Sequence, residues 1–306
     1  MRGESGQVLA LSLLALTVLL GMSALVLDVG SWLHVQRKLQ ATADAAALAG
    51  AQLLPDDPGS ATQTAVVYAD RNADGAGQAS VSVATNLVPN DEITVEEQGE
   101  APSFFSRVFH ISSVHLGAQA TARSRNVVSA RYVAPIAVSE QHPMLRCLPR
   151  PCFDQPTEIA LANLKDPSGS TAAGNFGLLD LDGESNGSAG QSTLADWLAN
   201  GFDGMLGTGP YTGAPGADFN ANPFSGALNA RIGSELLFPV YRTITLSGSN
   251  AAFDVIGWVG FTLTGYTTQG SSGTLFGHFT RVTWDGIAAE SSGQPDFGVR
   301  TISLVR

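Results

Sequence analysis

Four stretches of the chain carry side chains able to do chemistry. Asp166-Pro167-Ser168-Gly169-Ser170 sets one carboxylate and two hydroxyls at alternate positions, an all-oxygen set suited to Mg²⁺ or Ca²⁺. The residues ahead of it, Ala162-Asn163-Leu164-Lys165, are not the buried apolar strand that would present such a site, and Gly-rich sequence follows. Asp180-Leu181-Asp182-Gly183, with Glu184 and Asn186 beyond, is a second oxygen-rich loop. A helix–loop–helix calcium loop needs a bidentate Glu at its twelfth position. Counted from Asp180 that position is Gln191, so the expectation here is a tight turn beside a buried Phe176. Cys147 and Cys152 are the chain's two cysteines, with four residues between them and two of those proline. A disulfide, two free thiols, or a metal pair with His142 as the near third ligand all fit that spacing; a short disulfide fits an oxidising compartment. His278, in a bulky strand-like stretch, has no acid near it in sequence. No G-x-S-x-G, H-E-x-x-H or G-x-x-x-x-G-K-[ST] pattern occurs, so nothing supplies an activated nucleophile, a zinc pair or a phosphate cradle. The chain reads as a non-enzyme with no cofactor.

The elements that would position these residues begin with an apolar run. Residues 8–27, VLALSLLALTVLLGMSALVL, are 20 residues without a charge. As a helix they reach about 30 Å, the thickness of a bilayer's hydrocarbon core. Apolar and small residues continue at three- and four-residue steps through Leu25, Val29, Trp32, Val35, Leu39, Ala43, Ala46, Gly50 and Leu53, which places them on one helix face. Pro55 ends the pattern. The prediction is one long helix, a membrane span over 8–27 running into a one-faced stem that ends at residue 54. The run exceeds the 7–15-residue apolar core of a signal peptide, and no convincing small-x-small cleavage site follows it. The expectation is therefore an uncleaved anchor.

Within this stretch, Asp28 stands where the apolar run stops. It either reaches interfacial water or pairs with a neighbouring subunit, since a charge at the membrane edge is costly enough to be used. Ala43, Ala46 and Gly50 let a second backbone approach closely, that of the chain's own sheet or that of a partner helix. Asp28, Ala43, Ala46 and Gly50 are the assembly candidates.

Composition narrows the partners. The net charge is −11 with a charged fraction of 14%, which argues against nucleic acid and anionic lipid as partners of the distal part. A chain of 306 residues with 34 glycines has room for two turn-rich domains. Residues 55–126 read as a small α+β module. It has a turn at 55–60 with Ser60 as cap, a helix over 61–72, strands over 79–85 and 92–97, a short helix over 102–110 with Phe104, Phe105, Val108 and Phe109 inward, and a strand over 114–122. His110 and His115, without an acid near them in sequence, read as structural. Residues 127–306 read as a β-rich domain. Its strands fall at 132–138, 236–246, 252–266, 274–284 and 299–304, its short helices at 192–201 and 226–234, and a long loop at 210–223. Ser192 or Thr193 caps the first of these helices.

The N-terminal stretch resembles a family. Gly6-Gln7 before the apolar run, Leu27-Asp28-Val29-Gly30 at its end, Arg37, Leu39-Gln40, and the Ala41-to-Ala51 segment look like the N-terminal module of TadE/TadG-like pilus-assembly proteins of the tight-adherence (Flp) system. The likeness runs more loosely to about residue 125, through Tyr68-Ala69 and the 104–109 segment. It implies a pilin-like head on the stem, the N-terminus inside and the bulk outside. It also implies contacts with the membrane and with other pilus or secretion-machinery subunits through the N-terminal helix. A prepilin-type cut would leave Val8 or Leu11 where Glu is expected, a departure from processed pilins. Some TadG-like proteins carry a von Willebrand A domain, whose cation-binding pattern Asp166, Ser168 and Ser170 reproduce. Pro167 departs from it.

The fold class expected is therefore α+β: a transmembrane and stem helix (1–54), a small pilin-like module packed on the stem (55–126), and a mainly antiparallel β domain (127–306). The function expected is that of a minor-pilin-like structural component. The alternative is a tethered adhesin or cation-dependent binding protein built on Asp166, Ser168 and Ser170.

Overall fold

The computed structural model describes residues 4–72, 77–148, 151–161, 164, 168, 175–183, 189–215, 222–245, 251–269 and 272–305. They form two compact units, Met1–Ser124 with Ile302–Arg306, and Arg125–Thr301. The whole is mixed α+β: a long apolar N-terminal helix followed by mainly β structure.

In the first unit, α1 (Glu4–Ala51) is one helix of 48 residues. No proline interrupts it, and its final third is rich in alanine, the best helix former. α2 (Pro58–Asn72) follows a short turn. Its cap is Asp57, whose Oδ1 accepts from the Ser60 amide at 2.9 Å and Oδ2 from the Ser60 hydroxyl at 2.7 Å. Ser60 lies inside the helix instead of capping it, because Pro58 suits the first helical turn and Asp57 stands before it. Three antiparallel strands come next, β1 (Gly77–Ala84), β2 (Glu92–Pro102) and β3 (Ser113–Ala130). Val81 faces Val95, and Val95 faces Ala120. The β1–β2 turn is held by buried Asp91, which accepts from the amides of Asn86, Leu87 and Val88 at 2.6, 2.9 and 3.3 Å. The core here is built from small residues. Ala43, Ala46, Ala47 and Ala51 of α1 and Ala61, Ala65 and Ala69 of α2 meet Ile93 and Val95 of β2.

The second unit has a sheet of seven strands, β4 (Val138–Ser139), β5 (Pro156–Ala160), β6 (Asn175–Leu179), β8 (Gly209–Pro215), β9 (Glu235–Thr245), β10 (Ala252–Gln269) and β11 (Ser272–Thr280), while β7 (Leu206–Gly207) lies off it and pairs with Ser129 and Ala130 of β3. The order is β4-β9-β10-β11-β5, and β8 bridges β10 to β6. Only the β4–β9 pairing on that path is parallel. Bulges in β10, at Phe253–Gly257 against β9 and at Leu263–Gly265 against β11, curl the sheet. α3 (Gln191–Asn200) and α4 (Asn222–Arg231) pack on each other. β12 (Val282–Thr283), β13 (Gly286–Ala288) and β14 (Val299–Val305) complete the strands. The core is aromatic: Tyr241 meets Phe253 edge-on at 5.1 Å and Phe261 meets Phe279 at 5.4 Å.

Several sequence expectations are revised. The 102–110 segment is not a helix with its phenylalanines inward. It holds one 3₁₀ turn, Ser106–Phe109, with Phe104, Phe105, Val108 and Phe109 all exposed. Backbone hydrogen bonds, not apolar packing, hold it. The covered face of α1 starts at Asp28 and skips Leu25 and Val29, which are exposed. Residues 132–138 make only isolated bridges at Val133 and Ile136 before β4, because Pro135 has no amide to donate. The 210–223 stretch contains β8, and α3 starts from Gly190 with no side-chain cap; β6 runs up to the 180–183 loop, which bends at Asp182 with Gly183 at a φ of +66°.

Candidate functional site

The site grows out of α1. Every residue from Val8 to Leu27 is exposed except Ala24, which is half-buried. The best 18-residue window has a mean hydropathy of 2.4. Leu13, Leu14, Leu16, Leu19 and Leu20 stand clear of the rest of the chain. Two of the run's three hydroxyls turn inward on the helix: Thr17 donates to the Leu13 carbonyl and Ser23 to the Leu19 carbonyl, both at 2.8 Å. An unbroken helix that is apolar all round suits hydrocarbon, because its backbone groups pair within the segment. By length and composition α1 can cross a membrane once, and it fits a single-pass anchor.

Asp28 marks the boundary, and the structure gives it a partner within the chain. It is fully buried. Its Oδ1 accepts from the amides of Phe104 at 2.7 Å and Phe105 at 3.1 Å. Its Oδ2 accepts from the amides of Phe105 at 3.1 Å and Ser106 at 2.6 Å, and from the Ser106 hydroxyl at 2.5 Å. These are the amides at the start of the 3₁₀ turn, which helical bonding leaves unsatisfied. The carboxylate therefore clasps the β2–β3 loop to the helix. Neither interfacial water nor a second subunit is needed to satisfy it. Sequence reasoning missed the partner because it lies 76 residues away. The one available signal was a Ser in an otherwise apolar segment that starts a turn.

Beyond Asp28 the helix lies along the first unit's sheet. Gln36 Nε2 donates to the Gly117 carbonyl at 2.7 Å and Gln40 Nε2 to the Gln119 carbonyl at 3.0 Å. Ala43 and Ala46 are fully buried. Gly50 allows a close approach: a Cβ there would stand 2.6 Å from Ile93 Cδ1 and 2.9 Å from the Ala61 carbonyl oxygen. All three small residues are used inside the subunit, against α2 and β2.

The candidates of the second unit do not converge. Cys147 and Cys152 are joined as a disulfide. His142 is occupied beside them: its Nε2 lies 3.0 Å from the Glu158 carbonyl, its Nδ1 accepts from the Met144 amide at 3.3 Å, and its ring meets Phe279 edge-on. Neither thiolate is left for a metal. Asp166 and Ser170 lie outside the described residues, and Ser168 is exposed in a turn. Glu184 and Asn186 also lie outside them. Asp180 is buried, and burial together with neighbouring Asp182 raises its pKa to about 6; one oxygen accepts from the Ala189 amide at 3.0 Å. His278 is half-buried in β11, opposite Thr262 on one side and Pro156 on the other. In the first unit, His115 has an acid that sequence distance concealed: the β2–β3 register sets it against Glu100, at 3.5 Å on an exposed surface. Among the described residues no group of three His, Cys, Asp or Glu side chains could hold a metal ion.

No curated protein matches the chain, and no solved structure does. Residues 6–53, the bare span together with the clasp and the buried stem, match the family model for Flp pilus-assembly TadE/G-like proteins, so it is α1 that carries the likeness.

Proposed function

We propose that this protein is a membrane-anchored, minor-pilin-like structural component of a Tad/Flp-type pilus, acting by helix packing and surface contact and not by catalysis. The single observation that carries the reading is the coincidence of the family match with α1, whose uncharged run, residues 8–27, is exposed at every position but Ala24. The helix enters the bilayer with its N-terminus inside. The remainder is extracytoplasmic, as suits a chain with a disulfide. Partner subunits meet the lipid-embedded half, Val8 to Leu27, because the small-residue face at Ala43, Ala46 and Gly50 is already covered.

The test is site-specific photocrosslinking in membranes of the native host. A photoreactive residue at Leu13 or Leu16 is expected to capture pilus or secretion-machinery subunits, and one at exposed Ser80 in β1 is not. Mass spectrometry of the crosslinked species identifies both partner and N-terminus. Capture of lipid alone from both helix positions, with wild-type pilus assembly in a deletion strain, would sink the proposal.

A further inference from the structure

We propose that the β2–β3 loop, residues 103–112, is a second membrane-contact element, seated in the interfacial zone of the bilayer that α1 crosses. The inference rests on the membrane-anchor reading of α1 and adds to it a site on the head.

The loop is narrow at its base, where the Ser103 amide donates to the Ser112 carbonyl at 3.0 Å. Its tip shows apolar side chains to solvent: Phe104 is 61% exposed, Phe105 47%, Val108 78%, Phe109 79% and Ile111 45%. A cluster of this kind on a water-facing head is costly and marks a contact surface. Its height along the helix is fixed by the clasp at Asp28. Ala24, one turn nearer the N-terminus on the same face, is the only half-buried residue of the apolar run. The loop therefore stands level with the end of that run, where about 30 Å of apolar helix meets the headgroups.

Three features select lipid as the occupant. The loop is clasped at Asp28, directly after the exposed Leu25, Val26 and Leu27, which an anchor already commits to the bilayer. Polar residues sit among the apolar ones, Arg107 and His110 exposed and Ser112 at the base. That is the pattern of an interfacial element, with apolar side chains at the acyl boundary and a cation able to reach phosphate oxygens. Finally, Asp28 takes up the amides of Phe104, Phe105 and Ser106, three backbone donors that would be costly to carry bare into the interface. A helix and a loop clasped to each other give two-point attachment. The head then keeps one orientation at the surface instead of swivelling on its stem.

The test uses the full chain in phosphatidylcholine–phosphatidylglycerol vesicles. Both native cysteines are in the disulfide, so single thiols introduced as Val108→Cys and Phe109→Cys can be labelled selectively with nitrobenzoxadiazole. Leu16→Cys in the middle of the span and Ser80→Cys on β1 serve as references. The labels at 108 and 109 are expected to lose most of their emission to lipid carrying a nitroxide near the headgroup and to resist aqueous iodide; the label at 80 should show the reverse. The unlabelled thiols give a dye-free check, with alkylation by a charged maleimide much slower at 108 and 109 than at 80. If 108 and 109 behave like 80 while 16 is lipid-quenched, the loop proposal fails and the anchor stands. If 16 is also open to iodide, the anchor reading itself fails. Protection from both quenchers that disappears on diluting the protein in the vesicles would mean a second copy covers the loop, and would overturn the proposal in favour of self-association.

Discussion

The two halves of α1 are one unbroken helix with opposite surroundings. Val8 to Leu27 is built from leucine and valine and is exposed; Leu39 to Ala51 is built mainly from alanine with one glycine and is mostly buried. The largest apolar side chains are outside and the smallest inside, an inversion of the usual burial order. Two different neighbours explain it. Large branched side chains suit hydrocarbon, which takes any shape and rewards area. A neighbouring helix and sheet at close range reward the absence of a side chain. Hydrophobicity summed along the helix would not separate the halves; side-chain volume does.

The strongest way to break this contrast is to put volume into the buried half. Gly50→Val would drive a branched side chain into Ile93 and the Ala61 carbonyl, and the second of these is backbone that cannot rotate away. Overpacking of this sort costs about 3 kcal/mol, and loss of the head's cooperative unfolding transition in detergent is the expected result. Leu16→Val, a change in volume of the opposite sign on the exposed half, should leave that transition where it was. Equal effects from the two would show that the small residues fill space and do not set the helix–sheet distance.

A smaller and local effect is expected at the border between the halves. Asp28→Ala removes the acceptor for the amides of Phe104, Phe105 and Ser106 at once. Hydrogen bonds to a charged acceptor are among the stronger ones, so amide exchange at these three positions should speed up on the order of tenfold or more. Asp28→Asn keeps an acceptor and should fall between. Exchange followed by mass spectrometry resolves the 103–112 peptide. Global unfolding should shift little, because the clasp ties down one loop and not the Ala-rich core.

How much of this was legible in the sequence follows from the range of the forces involved. The long helix, its end near Pro55 and the strands at 236–246 and 252–266 are written in local periodicity, and the structure has them within a few residues. The buried face of the stem was legible too, because small residues recur at helical spacing. The outward turn of Phe104 and Phe109 was not. An apolar cluster reads as core from sequence alone, and its outward turn follows from backbone pairing with Asp28, 76 residues away. The same holds for His115 and Glu100, brought together by register. The cap of α2 was misread by three residues because Asp57 and Ser60 are both good caps, and only the helix's actual start decides between them.

The smallest effect sharpens the contrast from the sheet side. Glu97 lies on the face of β2 that also carries Ile93 and Val95; it is 1% exposed, and neither carboxylate oxygen has a hydrogen-bond partner among the described residues. Burial raises its pKa, and nearby Asp70 raises it further. The folded state then holds a proton over a range where the unfolded chain has released it. Stability should therefore be greatest below the unfolded value of about 4.3 and should fall as pH rises through the higher folded value, after which the cost is constant. Glu97→Gln removes the charge while keeping the shape. It is expected to stabilise the head by about 1 kcal/mol at neutral pH and to flatten this part of the pH profile. Asp70→Asn should do the same to a lesser degree, since it relieves only the repulsion. Urea titrations of the three proteins at pH values on either side of the transition read this directly. A wild-type profile that rises with pH in this range, or a Glu97→Gln variant less stable than its parent at neutral pH, would mean that the carboxylate is paired. The buried half of α1 would then be packed over a satisfied polar group, not over an acid that the small-residue core has merely tolerated.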